Sequence, residues 1–222
     1  MEDVAAGLAS VRARIRESLR KAGRPDDAVT LVAVSKKQPG ARIEAALEAG
    51  QRVFGENYVQ EARARWGPLK ERHPDVALHM IGALQSNKAD DAVALFDAIQ
   101  TLDRPKLATA LAKAIDKAGR RPRLLVQVNT GLEPQKAGVA PDGLPGLLDH
   151  CRGLGLAVDG LMAIPPADED VAPHAALLAK LARRHGLDAV SIGMSDDFEA
   201  AIRFGATLVR VGSAIFGARE GA

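Results

Sequence analysis

Two groups of side chains in this sequence could act on an electrophile or an anion, and they lie at opposite ends of the chain. Residues 31–39 read LVAVSKKQP, an apolar, β-branched run that ends in a hydroxyl, two ammonium groups and a proline. Such a run is a buried strand whose C-terminal end opens onto polar ground. Lys36 sits at that opening. A dry wall behind an amine eases loss of its proton, and the neutral amine attacks carbonyl carbon. Taken alone, the Lys36–Lys37 pair reads equally as a solvated loop. Near the other end, GMSDDF and RVGSAIFG place Ser195 and the Gly212–Ser213 step just after two further apolar runs. Small residues there leave backbone N–H groups open to an anion. Ser195 also reads as a helix N-cap followed by two acids, which the helix dipole favours. Asp196 and Asp197 would repel an anion from inside and are expected to face solvent.

Bringing these groups together needs a scaffold that gathers distant strand ends on one face. Apolar runs at residues 31–39, 52–57, 78–82, 98–102, 124–129, 158–165, 189–194 and 208–211 alternate with helix-spaced segments closed by Gly or Pro. The repeat predicts a closed (β/α)8 TIM barrel, with a doubly wound open sheet as the alternative. An extra helix over residues 3–22 precedes it, with Val4, Leu8, Val11, Ile15 and Leu19 on one stripe. Its neighbours Arg12, Arg14, Arg16, Arg20, Lys21 and Arg24 read as a solvated face. No linker interrupts the chain, so residues 1–222 are read as a single domain.

Composition narrows the function classes. Hydrophobic residues make up 47% and aromatics 3%, so Val, Leu, Ile and Ala must carry the core. The 30 basic and 28 acidic residues are intermixed, unlike the clustered basic surface that nucleic acid requires. Cys151 is the only cysteine, which excludes an intrachain disulfide and a cysteine-based metal cluster and fits a reducing compartment. No run is long enough to span a bilayer, and the N-terminus lacks a signal peptide's apolar core. A cytoplasmic protein without membrane contact is expected.

In a barrel the strand ends would collect Lys36, Asn57, Gly82, Asn129, Pro165, Ser195, Arg210 and Gly212. That set holds one amine and one guanidinium, with no carboxylate pair, metal-ligand cluster or histidine. His79, inside the third run, reads as a barrel-lining residue. Glycoside hydrolysis and metal catalysis are therefore poorly supported. The loops after strands seven and eight are the usual phosphate site of such barrels. A phosphate cradle facing a lysine describes a site for a phosphorylated aldehyde, and pyridoxal 5′-phosphate (PLP) fits, with Lys36 as its Schiff-base partner. Arg210, two residues before Gly212 on one strand, would then reach the pyridine nitrogen and keep it unprotonated. Two other chemistries use the same groups: a PLP-dependent amino-acid racemase-like enzyme, and a Schiff-base aldolase acting on a sugar phosphate.

The segments VAVSKKQP, FGENYVQE, HMIGALQSNK, QVNTGLEPQKAG, GLMAIP and SIGMSDDFEAAIRFGATLVRVGSAIFG run in order from residue 31 to 217. In order and spacing they resemble the pyridoxal phosphate homeostasis proteins, PLP-binding proteins of the YggS or PROSC type. One departure is Leu78, where the family's third motif usually has Trp before its His. The resemblance implies a barrel like the N-terminal domain of alanine racemase, with PLP held as an aldimine on Lys36. It also implies phosphate contacts from Ser195 and the backbone around Gly212 and Ser213, and Arg210 at the pyridine nitrogen. Asn57, Met80, Gly82 and Leu84 would line the cofactor. The implied role is to keep free PLP low and hand it to PLP-dependent apoenzymes, with no catalytic residue assigned. A racemase needs a second acid/base on the opposite face of the imine. The one tyrosine, Tyr58, is predicted on a helix. Scattered charge is compatible with a monomer.

Overall fold

The computed structural model describes residues 4–217. Eight strands follow one another: β1 (Thr30–Val34), β2 (Val53–Glu56), β3 (Ala77–Met80), β4 (Ala98–Leu102), β5 (Arg123–Gln127), β6 (Gly160–Met162), β7 (Ala189–Ser191) and β8 (Leu208–Val211). Each pairs in parallel with the next, and β8 returns to β1, closing the barrel and excluding the open sheet. The helices are α1 (Val4–Lys21), α2 (Gly40–Glu48), α3 (Val59–Arg72), α4 (Ala89–Leu95), α5 (Pro105–Ala118), α6 (Leu144–Gly153), α7 (Val171–Arg184), α8 (Phe198–Arg203) and α9 (Ser213–Phe216). No described helix is long and apolar enough to cross a membrane.

Strand alternation sorts side chains into two layers. Val32, Leu125, Met162, Ala189 and Leu208 fill the barrel interior, apart from the larger core between strands and helices. Phe54 faces outward, its ring 4.7 Å from that of Trp66 on α3. Gly55 therefore faces inward and Glu56 outward.

β4 and β8 match the expected runs, but several others stop short of their polar ends. Beyond them the backbone bonds within loops: Gln38 N–H donates to Ser35 O at 3.1 Å, and Asn129 N–H to Val139 O at 2.9 Å. The chemistry-bearing residues consequently stand on loops at the mouth.

The N-terminal helix shows the predicted stripe, with Val4, Leu8, Val11, Ile15 and Leu19 buried; residue 3 lies outside the described residues. Its basic face is corrected in part: Arg16, Arg20 and Lys21 are exposed as expected, but Arg12, Arg14 and Arg24 are half-buried and bonded. Arg12 donates to Ala49 O and Gly50 O at 3.0 Å each, and Arg24 to Ile202 O at 2.6 Å and Ala206 O at 2.8 Å. Arg14 pairs with Glu199 at 2.6 Å and lies 4.5 Å over the Phe198 ring. Arg12 and Arg24 thus satisfy carbonyls at the ends of α2 and α8, an attraction no local pattern reveals. A Cβ on Gly7 would sit 2.7 Å from Ile215 O, so α1 presses closely on α9, behind the Gly212 loop.

Candidate functional site

Lys36 is half-buried, two residues past the end of β1, at the second position of a tight turn. The turn runs from Ser35 to Gln38, closed by the Gln38 N–H to Ser35 O bond, and its third residue, Lys37, is exposed with φ 58°. Ser35 faces the helix layer, since its hydroxyl donates to Glu56 Oε1 at 2.7 Å. Lys36 follows β1 directly, at the C-terminal mouth of the barrel.

Arg210 lies beside Val32 in the β1–β8 register and is buried in the barrel. Its Nη1 donates to Ser191 Oγ at 2.6 Å and its Nη2 to Ala163 O at 2.8 Å. Ser191 Oγ donates to Gln100 Oε1 at 2.6 Å, and Gln100 Nε2 lies 2.9 Å from His79 Nδ1. Because a guanidinium only donates, the proton order is fixed along this chain from β8 through β7 and β4 to β3. His79 Nδ1 must accept, so the imidazole is neutral with its proton on Nε2. Burial pulls His79 down to about 4, helped by Arg123 and opposed by Asp97. Burial also draws Arg210 down to about 10, opposed by Asp197, and it stays charged at neutral pH. Nε–H and one proton on each Nη remain for a ligand.

Ser195 is not the N-cap expected of it. Helix α8 begins at Phe198 with Asp197 before it, and the Asp197 carboxylate turns back to accept Met194 N–H at 2.6 Å. The Ser195 hydroxyl instead accepts from Gly212 N–H at 3.3 Å and, at the long limit, Ala214 N–H at 3.5 Å. Two N–H groups thus converge beside one oxygen, as an anion's oxygen would require. Ser213 is exposed at the same point. Asp196 faces solvent, whereas Asp197 is half-buried. In register, Gly212 adjoins the end of β1: a Cβ on it would lie 3.5 Å from Val34 Cβ.

On the other side of the mouth, backbone approach replaces hydrogen bonding. A Cβ on Gly82 would stand 2.3 Å from Asn57 O, so only glycine lets the β3 loop close onto the β2 loop. Asn57 Oδ1 is buried with no hydrogen-bond partner among the described residues. Asn57 stands between two cavities. One, of about 220 Å³, is lined by Ile81, Gly82, Gln127, Lys136 and Ile164. The other, of about 340 Å³, is lined by Tyr58, Val59, Met80, Leu84 and Lys88. Met80 and Leu84 therefore border the outer cavity, because Met80 pairs with Glu56 and shares its outward face. Tyr58 precedes α3 at its N-cap position and is exposed.

The donor set fits a small, flat, phosphorylated ligand. Converging N–H groups and a hydroxyl suit phosphate, a charged guanidinium suits a ring acceptor, and Asn57, whose buried amide oxygen has no hydrogen-bond partner among the described residues, lines both neighbouring cavities. Reading the sequence missed Glu56, Gln100, Ser191 and Lys136. The first three are polar residues inside apolar strands, as in AIQTL and AVSIG, and that interruption was the available signal.

From residue 7 to 220 the chain matches the family model for alanine racemase, N-terminal domain. The pyridoxal phosphate homeostasis protein of Pseudomonas aeruginosa is 44% identical, the match covering 99% of this chain and 97% of that one. The structure of PipY from Synechococcus elongatus with PLP bound superposes with a TM-score of 0.82 at 39% identity, over 96% of this chain and all of that one. An unknown protein from Bifidobacterium adolescentis superposes at 0.90 with 29% identity, over 96% and 94% of the two chains. The chain belongs to the alanine racemase N-terminal domain family and, within it, to the pyridoxal phosphate homeostasis proteins.

Proposed function

We propose that this protein binds PLP reversibly through Lys36 and keeps it in reserve for other proteins, without substantial turnover of its own. The observation that carries this is the placement of Lys36 at the mouth beside the strand that bears Arg210 and Gly212. PLP bound to PipY, 39% identical over nearly the whole chain, supports it.

When bound, PLP supplies an aldehyde that combines reversibly with primary amines and a ring that withdraws electrons. Lys36 would supply the primary amine that holds the aldehyde. Ser195 and the N–H groups of Gly212 and Ala214 would hold the phosphate. Arg210, donor-only and charged at neutral pH, would donate a hydrogen bond to the pyridine nitrogen and so keep that nitrogen an acceptor. Asn57 and Gly82 bound the ring's side of the mouth. A cation rather than a carboxylate at that nitrogen weakens the ring's electron withdrawal, which favours holding over catalysis. A monomer that passes PLP to apoenzymes accords with the intermixed surface charge.

Titrating the protein with PLP is expected to raise a visible absorbance band at one equivalent, absent in Lys36→Ala. An unchanged band in that variant overturns the proposal. Incubating the holoprotein with L-amino acids in deuterated water separates carrier from enzyme: steady α-proton exchange at enzyme-like rates would establish the racemase-like alternative.

A further inference from the structure

We infer, on the footing of that role for Lys36, that Glu56 is its positioning residue: a buried carboxylate on the neighbouring strand that fixes the turn from which the lysine reaches. Glu56 ends β2, and its side chain is 0% exposed. One oxygen, Oε1, accepts from Ser35 Oγ at 2.7 Å, Arg65 Nη1 at 2.9 Å and Trp66 Nε1 at 3.0 Å. Trp66 is fully buried with its ring against Phe54, so its N–H is an immobile donor. Donors from α3 thus hold the carboxylate on one side, and it holds Ser35 on the other.

Ser35 is tied at each polar group. Its N–H donates to Gly55 O at 3.0 Å, its hydroxyl to Glu56, and its carbonyl accepts from Gln38 N–H at 3.1 Å and Arg65 Nη1 at 3.4 Å. Ser35 is the first residue of the turn, Lys36 the second and Lys37, with its φ of 58°, the third. A side chain with a Cβ in that left-handed region is strained, and such strain persists only where the surroundings over-determine it. The Glu56 clamp is that over-determination. A buried carboxylate is a costly way to fill space between a barrel and a helix, where an apolar side chain would serve. Its second oxygen, Oε2, has no hydrogen-bond partner among the described residues, so the three bonds to Oε1 are what the group is placed to make.

The consequence falls on covalent capture alone. Arg210, Ser195 and Gly212 fix the ring and phosphate independently of the turn. For a C=N bond to form, with one water released, Lys36 Nζ must then come within bonding reach of a carbon already placed. A turn held in advance spares the ordering that a loose one must undergo on binding.

The experiment compares affinity for PLP with affinity for pyridoxine 5′-phosphate, which carries an alcohol where PLP has the aldehyde. Ser35→Ala and Glu56→Ala are expected to lose about tenfold or more in PLP affinity, from loss of a charge-assisted hydrogen bond, and to stay within about twofold for the alcohol. Glu56→Gln, which keeps an Oε1 for the three donors, is expected to retain both. Equal losses for the two ligands, or unchanged PLP affinity in Ser35→Ala, overturn the inference. Should Glu56→Ala not fold, Ser35→Ala carries the test, since it deletes a single hydroxyl. Wild-type preference for PLP over the alcohol, abolished in Lys36→Ala, is the control. Its absence overturns the role of Lys36 itself, whereas its presence beside unaffected clamp variants overturns the clamp alone.

Discussion

The two sides of the barrel mouth hold their groups by different means. Starting from β1 and β8, polar groups are linked in chains that reach across the barrel: Arg210 to Ser191 on β7, Gln100 on β4 and His79 on β3, Ser195 to Gly212, and Ser35 to Glu56 on β2. In the loops that follow β2 and β3, Asn57 and Gly82 are set by backbone contact, and the space beyond them is divided between two cavities. The first arrangement fixes charges and proton positions, and the second fixes an outline. A substitution on the linked side should therefore be felt far from the atom removed, because buried polar partners are left unpaired. One on the packed side should be felt only where backbones touch.

The largest expected contrast comes from Arg210→Met, which strands Ser191 Oγ and Ala163 O in the barrel. Unfolding by denaturant should show a loss of about 4 kcal/mol, and a PLP titration about a hundredfold weaker binding. Stability near that of the wild type would mean that the polar chain contributes nothing to the barrel. A smaller effect is expected from pH. His79, held near 4 when folded against about 6.5 when unfolded, binds more protons in the unfolded chain between those values. Stability should therefore fall as pH drops through that window, by about 3 kcal/mol from this group at its lower end. His79→Gln, which keeps an acceptor for Gln100, should flatten that part of the profile, and a profile identical to the wild type would remove His79 from the chain. The smallest change is expected on the packed side. Met80→Leu, in the outer cavity, should cost less than about 1.5 kcal/mol and shift PLP affinity by no more than about twofold. A loss comparable with that of Arg210→Met would bring the outer cavity into the cofactor site and erase the contrast.

How much of this was legible in the sequence differs between the same two sides. The barrel could be read because each strand is an apolar run and each helix repeats at three or four residues. Lys36 and Arg210 stood out as the one amine and the one guanidinium among the ends of those runs, and Ser195 and Gly212 as small residues in the two loops where such barrels bind phosphate. What they bond to was not readable. Gln100 meets Ser191 across 91 positions of sequence, and Glu56 meets Ser35 across 21, distances at which no local pattern operates. Ser195 looked like a cap because two acids follow it, yet the Asp197 carboxylate took the local N–H and freed the serine for another loop. Met80 and Leu84 came from family resemblance; Met80 shares the outward face of Glu56, Leu84 lies on the loop after β3, and both line a cavity beside Asn57.

The central claim is that one particular amine at the mouth takes the aldehyde. Borohydride reduction of the PLP-loaded protein followed by peptide mapping tests it most directly. A single modified lysine, Lys36, is the result expected, with the cofactor no longer removable by dialysis. Modification centred on Lys136 or Lys37, or none at all in a protein that still holds PLP, would contradict it.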